Sequence, residues 1–374
     1  MSATWLLARR NLMRRRVRLI VSIGGVALAL TLVLALDAIF EGVSRQLTSY
    51  IDRSGADVWV AQSGVRNLHM VASWMPDSAT DEVRNVGGVA EAQPILYSTD
   101  SIVAADERGW AYVIGLPADA SMGGPWDVVE GTGRPGAGEA VIDRRFAQRA
   151  GVGLGDTVTL LGREFRIAGL TEGTASLVNS VVFVSFDDFA AQRAGEPTVS
   201  FVLVRVAEGA SADDVARAIG ERVGGVSVQT TEAFGRAERQ LVLDMSGDVI
   251  SIMNIIGFVV GLAVVALTVY VATLALRREY GSLKAFGAPN RYLYRVVLTQ
   301  AGLSVAIGFL AGIAVTAALS AIVPRTGANL ELAIGAGSLL KVGVVAAVIA
   351  ALAALLPIRQ IAGLDPAIVA REGV

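Results

Sequence analysis

The sequence predicts an α-helical membrane protein with four transmembrane helices and one large extracytoplasmic α+β domain, inserted between the first helix and the second. Three observations predict it. The 374 residues are 53% hydrophobic, with a mean hydropathy of +0.56, too apolar for an ordinary soluble chain of this length. Four apolar runs are each long enough to cross a hydrocarbon core of about 30 Å, which takes about 20 helical residues. The charged residues, only 18% of the chain, gather outside those runs.

Taken in order, residues 1–18 form a basic lead-in. They carry Arg9, Arg10, Arg14, Arg15, Arg16 and Arg18 and no acid. Trp5, Leu6, Ala8, Leu12 and Met13 fall near one side at helical spacing, which suits an amphipathic helix lying on anionic headgroups. The first span covers 19–40. Its charge-free core exceeds a usual signal-peptide core and no clean small-x-small site follows, so it reads as an uncleaved anchor. Residues 41–248 form the inserted domain, with 29 Asp and Glu against 17 Arg. The second span covers 249–276, the third 296–323 and the fourth 339–358, with Lys341 at the edge of the fourth, where its stem can snorkel. Between the second and third, residues 277–295 hold five basic residues and one acid. Arg359 opens the tail, 359–374, and a short loop fills 324–338. The positive-inside rule puts 1–18, 277–295 and 359–374 in the cytoplasm, hence both termini, and the inserted domain outside.

Within the domain, alternation and turn residues predict strands at 57–61, 102–116 (a pair around Asp106 to Gly109), 139–143, 157–161, 164–170, 181–185, 199–206 and 226–230. Helices are expected at 78–86, capped by Ser78 or Asp77, at 144–150, at 186–193 and from Ser211. The stretch 117–196 reads as a β-rich insert within a smaller α/β part.

Several chemistries are excluded or disfavoured. Without cysteine there are no disulfides, thiolate sites or cysteine nucleophiles. His69 is the only histidine, so a multi-imidazole zinc site is out and no metal ligand set is expected. A packing or surface role suits it better than catalysis. No charge lies mid-span, which argues against an ion-coupled carrier. Asp37, near the outer end of the first span, reads as hydrated at headgroup depth, and Gln300 as a helix–helix hydrogen bonder. Trp59, Trp74, Trp110 and Trp126 either line a binding surface or fill a core. Small residues four apart, Gly25 with Ala29, Gly257 with Gly261 and Gly308 with Gly312, suit close packing of the first span on the second, or a dimer seam. No Gly-x-x-x-x-Gly-Lys-Ser/Thr loop is present, so this chain is not itself an ATPase, and it binds no cofactor.

One span, a large outer domain and three further spans, together with Arg278-Glu-Tyr-Gly-Ser-Leu-Lys-Ala-Phe-Gly-Ala288, Leu364-Asp-Pro-Ala367 and the basic lead-in from Ala8 to Arg18, resemble the MacB/FtsX/LolC-type ABC transporter permeases of the type VII ABC superfamily. The tract from Asn290 resembles the DevC-like branch. The resemblance implies a MacB-like periplasmic core, with a ferredoxin-like porter part and the β-rich insert. It implies a multi-pass protein of the bacterial plasma (inner) membrane and a non-catalytic permease subunit. Its partners would be a dimer of ABC ATPase subunits holding ATP and Mg, a second permease copy (identical or a paralogue), a periplasmic adaptor or binding protein, and membrane lipids; nucleic acid is not among them. ATP hydrolysis below would move the outer domains, termed mechanotransmission, to export or extract a lipid-like, peptide or drug-like substrate. An FtsX-like regulator that activates an extracytoplasmic enzyme, such as a cell-wall hydrolase, is the alternative. The segment after the second span would couple to the ATPase, through Arg278, Glu279, Lys284 and Phe286, with Gly281 and Gly287 permitting close approach or a turn. Pro289 then stops the helix.

Overall fold

A computed structural model describes residues 16–175, 179–193, 197–323 and 332–362. The expected interfacial helix before Arg16, most of the 324–338 loop and the Leu364 to Ala367 motif lie outside the described residues. The chain divides into a helical unit and a sheet unit, the latter formed by the described residues between 43 and 245.

Four helices of the helical unit are long and apolar enough to cross a membrane. They belong to α1 (Arg16–Arg53), to α6 (Thr231–Ala275), which follows the domain, to α8 (Asn290–Ile322) and to α9 (Ala336–Ala362). Helices are required here because a lipid-exposed backbone must satisfy its own hydrogen bonds. Val26, Leu30 and Val33 of α1 pack with residues of the other three in one buried cluster, which also takes in Val265, Val297 and Ile349.

The sheet unit follows α1 with β1 (Val58–Gln62), β2 (Met75–Pro76), α2 (Ser78–Arg84), β3 (Val89–Ala104), β4 (Glu107–Leu116), β5 (Val128–Gly131), β6 (Glu139–Asp143), α3 (Arg144–Ala150), β7 (Thr157–Leu160), β8 (Arg163–Thr171) and β9 (Asn179–Ser185). It continues with α4 (Phe186–Ala190), β10 (Thr198–Val199), β11 (Phe201–Val206), α5 (Ala212–Arg222) and β12 (Val226–Thr230). The main sheet runs β12-β1-β11-β3-β4-β9-β6-β8-β5. Its first four strands are antiparallel, with α2 between β1 and β3 and α5 between β11 and β12. That is the split β-α-β arrangement of a ferredoxin-like fold. Alternation assigns the faces: Val58 and Val60 meet Val83, Val215 and Ile219 of the helices, while Trp59 and Ala61 face a second core with Phe201 and Phe234.

The β-rich part is not set apart from this sheet. Strand β3 pairs with β11 from Val89 to Ile95 and with β4 from Leu96 to Ala104, so it belongs to both halves. Beyond β4, β9 adds in parallel, and β6, β8 and β5 complete the path over a core holding Val113, Phe146, Phe165 and Val182. The predicted β7–β8 hairpin turns at Leu161 and Gly162, both at positive φ (51° and 70°), the two-residue turn whose twist matches the strands.

Caps depart from expectation. Neither Asp77 nor Ser211 makes a side-chain cap bond. Asp143 caps α3 through the Arg145 N–H, and Ser185 caps α4 through the Asp188 N–H. Asp143 is fully buried and also accepts from Thr174 and the Ala175 N–H, so it ties a loop to the helix as well.

Candidate functional site

The turn joining the second and third spans is built from a short stretch of sequence. Helix α6 (Thr231–Ala275) ends, α7 (Arg277–Ala285) begins after a break at Leu276, and α8 (Asn290–Ile322) follows. Tyr280 is buried in the same cluster as Leu293, Val296 and Val297, which roots α7 on the helical unit. Burial pushes the Tyr280 phenol up to about 12, with the Glu279 charge adding to it. Its hydroxyl has no hydrogen-bond partner among the described residues. The end of α7 is closed by a Schellman pair: Gly287 N–H donates to Lys284 O at 2.9 Å and Ala288 N–H to Leu283 O at 2.9 Å, with Gly287 at φ +85°. Pro289, extended at ψ 148°, then starts α8.

This geometry sorts the six residues that sequence singled out. Arg278 and Glu279 are exposed, Lys284 is half-buried, and Gly287 sits in the turn. Phe286, at the helix end, is 90% exposed. Gly281 is buried, as is the neighbouring Tyr280. Tyr280 escaped the sequence reading. A tyrosine amid charges carries no helical stripe long enough to mark it as an anchor.

The paired small residues sit against α1. A Cβ on Gly25 would lie 2.8 Å from Val264 Cγ1, one on Gly257 2.9 Å from Val33 Cγ2, and one on Gly261 3.7 Å from Ala29 Cβ. Gly308 would put one 2.5 Å from Val26 Cγ1, and Gly312 one 3.3 Å from the Thr31 backbone nitrogen. These glycines bring α6 and α8 close to α1.

Three polar expectations for the spans change. Asp37 is not simply hydrated, nor does Lys341 only snorkel. They form an ion pair at 2.6 Å between α1 and α9 (Ala336–Ala362), and the Asp37 side chain is only 10% exposed. Nearby, Ala333 N–H donates to Ala38 O at 3.0 Å. Gln300 is buried, and its Oε1 has no partner among the described residues, so the helix–helix bond expected of that atom is not made there.

In the sheet unit, His69 is not a surface residue. Its Nδ1 makes a short contact with Glu238 Oε1, while Glu238 Oε2 accepts the Leu68 N–H at 2.7 Å. Glu238 is 1% exposed, and Tyr97 and Tyr112 lie around the imidazole, whose ring centre is 4.3 Å from that of Tyr112. Burial raises both phenols, Tyr112 to about 12, and the Glu238 charge adds to each. A buried carboxylate needs such donors. The pair fastens the loop 63–74 to α6. The tryptophans divide: Trp59 lies in the core, Trp126 packs partly buried at its edge, and Trp74 and Trp110 are exposed. Among the described residues no three His, Asp or Glu converge as a metal site.

Residues 19–222 match the model of a MacB-like periplasmic core domain, and residues 251–366 that of an FtsX-like permease C-terminal region. An ABC transporter permease of Mycobacterium tuberculosis (strain H37Rv) is 22% identical over 364 residues, covering 96% of this chain and 97% of that one. The periplasmic region of MacB from Actinobacillus actinomycetemcomitans is 13% identical, covering 49% of this chain and 94% of that one at a TM-score of 0.37. The extracellular domain of YknZ, a noncanonic ABC-type transporter from Gram-positive bacteria, is 13% identical, covering 46% and 99% at a TM-score of 0.37.

Proposed function

This chain belongs to the MacB/FtsX-type ABC transporter permeases, and we propose that within that family it converts ATP hydrolysis by a separate ATPase dimer into movement of its extracytoplasmic sheet domain. ATP and Mg belong to the partner. The chain itself supplies no nucleotide loop and acts mechanically, paired with a second permease copy. It sits in the bacterial plasma (inner) membrane with both termini in the cytoplasm. The work is export or extraction of a lipid-like, peptide or drug-like substrate.

One observation carries this reading. Phe286 projects into solvent from a turn that is rigid on both sides, closed by Gly287 and Pro289 and rooted by buried Tyr280. A large aromatic held out in this way costs free energy unless a partner covers it. Arg278, Glu279 and Lys284 beside it supply polar contacts for the rim of such an interface. Glycines that bring α6 and α8 against α1 support a stiff bundle able to pass on a push. The 45 residues of α6 form one helix, which suits the same role.

The test is co-purification of the full chain with its candidate ATPase, followed by ATP turnover in lipid nanodiscs. Phe286→Asp is expected to abolish association and stimulation while leaving the chain folded. Combined Glu279→Lys and Lys284→Glu is expected to weaken both. If stimulation survives all of these unchanged, the coupling assignment is wrong.

A further inference from the structure

A cavity of about 800 Å³ in the sheet unit is walled by the segment 116–126 after β4, the turn 132–136 after β5 and the end of α1. That volume falls in the range of small-molecule sites. The walls are fixed by their own hydrogen bonds. The buried Gln93 side chain accepts the Ser121 and Met122 N–H groups at 2.8 and 3.0 Å. Gly123 N–H donates to Ser54 O at 2.6 Å, and the Tyr50 hydroxyl donates to Gly123 O at 3.1 Å. In the turn, Thr132 N–H donates to Ala168 O and Gly136 N–H to Glu139 Oε2, both at 3.0 Å. Walls held in this way need little ordering when a ligand enters.

The polar side chains on these walls are one-sided. No Asp or Glu lines the cavity, although residues 41–248 hold 29 acids against 17 arginines. The lining hydroxyls are spent within the chain: Ser54 donates to Ile51 O, Ser121 to Glu91 and Thr132 to Arg134 O. Glu139, near the turn, is taken up by Arg166 and the Gly136 N–H. Donors are what remains. Arg134 is exposed and makes no ion pair among the described residues. The indole N–H of Trp126 is buried and has no partner among them, while its ring packs on Tyr50 and Phe183. Arg53 lies 5.6 Å over that ring and pairs with Asp127 at 2.7 Å. Both partners of that pair are more than half exposed, so it is weak and readily exchanged, and Asp127 is not part of the wall. Guanidinium and indole groups donate and do not accept. An occupant must therefore bring the acceptors, and with two guanidinium groups on the walls charged acceptors are favoured. Leu116, Met122 and the Trp126 ring supply apolar surface for its body.

We propose that this cavity binds a small organic anion, a carboxylate or phosphate on an apolar body. Arg134 supplies the charge that draws it, Arg53 adds to that charge on leaving Asp127, and Trp126 borders the body. The site goes beyond the coupling role above. It rests on the sheet unit alone and stands whether or not the chain stimulates an ATPase.

The full chain in phosphatidylcholine nanodiscs is irradiated with 4-benzoylbenzoate or with its neutral methyl ester, and adducts are mapped by peptide mass. Preferential labelling of residues 116–136 by the acid is expected. Arg134→Glu should lower it about tenfold, the scale of a lost charged hydrogen bond, and spare labelling by the ester. Trp126→Phe keeps a ring and removes the N–H, and should lower it about threefold. Asp127→Asn should instead raise it about threefold, because Arg53 is released; a merely structural role of Asp127 gives no gain. Two competitors trace the source. Suppression by soluble phenyl phosphate assigns the anion to solution, and suppression by phosphatidylglycerol placed in the nanodisc assigns it to the bilayer. Suppression by neither overturns the proposal. Equal labelling by both probes, no labelling at these residues, or a loss with Asp127→Asn overturns it as well. A chain that labels as expected but stimulates no ATPase overturns the coupling reading and leaves the site standing.

Discussion

Lys341 Nζ donates to Asp37 Oδ1 at 2.6 Å, joining the start of the fourth candidate span to the first across 304 positions of sequence. Asp37 is nearly enclosed while Lys341 is more than half exposed, so removing the lysine leaves a poorly solvated carboxylate behind. Lys341→Met is expected to cost about 1–2 kcal/mol, between the values for surface and buried pairs. Asp37→Asn, which removes the charge, should cost less. The exchange Asp37→Lys with Lys341→Asp should recover part of the loss in a thermal unfolding series in nanodiscs, and no recovery would mean that the pair does not interact.

Gly308 lies where a methyl group would meet Val26 Cβ at 2.9 Å and the Ala27 backbone nitrogen at 3.2 Å. The backbone cannot yield as a side chain can. Gly308→Val is therefore expected to destabilise by about 1–3 kcal/mol through overpacking. Gly302→Val on the same helix has open space around it and serves as the control. Equal effects of the two in the same unfolding assay would refute the close approach of α8 to α1.

Glu238 is buried and accepts two hydrogen bonds from the loop. Glu238→Ala should cost about 1–3 kcal/mol for each buried group of the loop left without its partner. Its signature is local: hydrogen exchange at Leu68 to Trp74 should accelerate before that of β1. Exchange rising evenly over the whole domain would point to general destabilisation instead.

Burial alone would raise the Asp188 carboxyl, but the Ser185 hydroxyl, the Gly138 N–H and Arg163 together hold it below the usual carboxylate range. A folded pKa below the unfolded one gives stability that is present above the unfolded value and is lost as pH falls through the folded one. Asp188→Asn should therefore lower the unfolding midpoint at neutral pH. The gap to the parent should close as pH drops below about 4, the ordinary aspartate value. A gap constant down to pH 2 would assign the effect to packing.

The spans were legible because hydropathy is local and membrane crossing needs little else. The β7–β8 hairpin was legible for a similar reason, since Gly162 marks its turn. What escaped depends on distance in sequence. Nothing around Asp37 announces Lys341, and nothing around His69 announces Glu238, which looks like one more charge on a helix. Among helix starts, Ser185 and Asp143 became caps where Ser211 did not. The choice lies in side-chain rotamers, which composition does not set. The turn after α6 was legible as helix, glycine and proline, but Tyr280 was not, because its burial is decided by Leu293 and Val297 of the next helix.

Strand β3 gives its first half to one set of partners and its second half to another. Neither part of the sheet unit can then be excised cleanly. A cut at the β3–β4 turn strips one neighbour from a strand both parts need and leaves a raw hydrogen-bonding edge, an invitation to aggregate. Domain grafts between relatives should exchange the whole stretch from Tyr50 to Glu238, since the helix ends that carry Tyr50, Ile51, Phe234 and Glu238 close the core and the loop of the sheet.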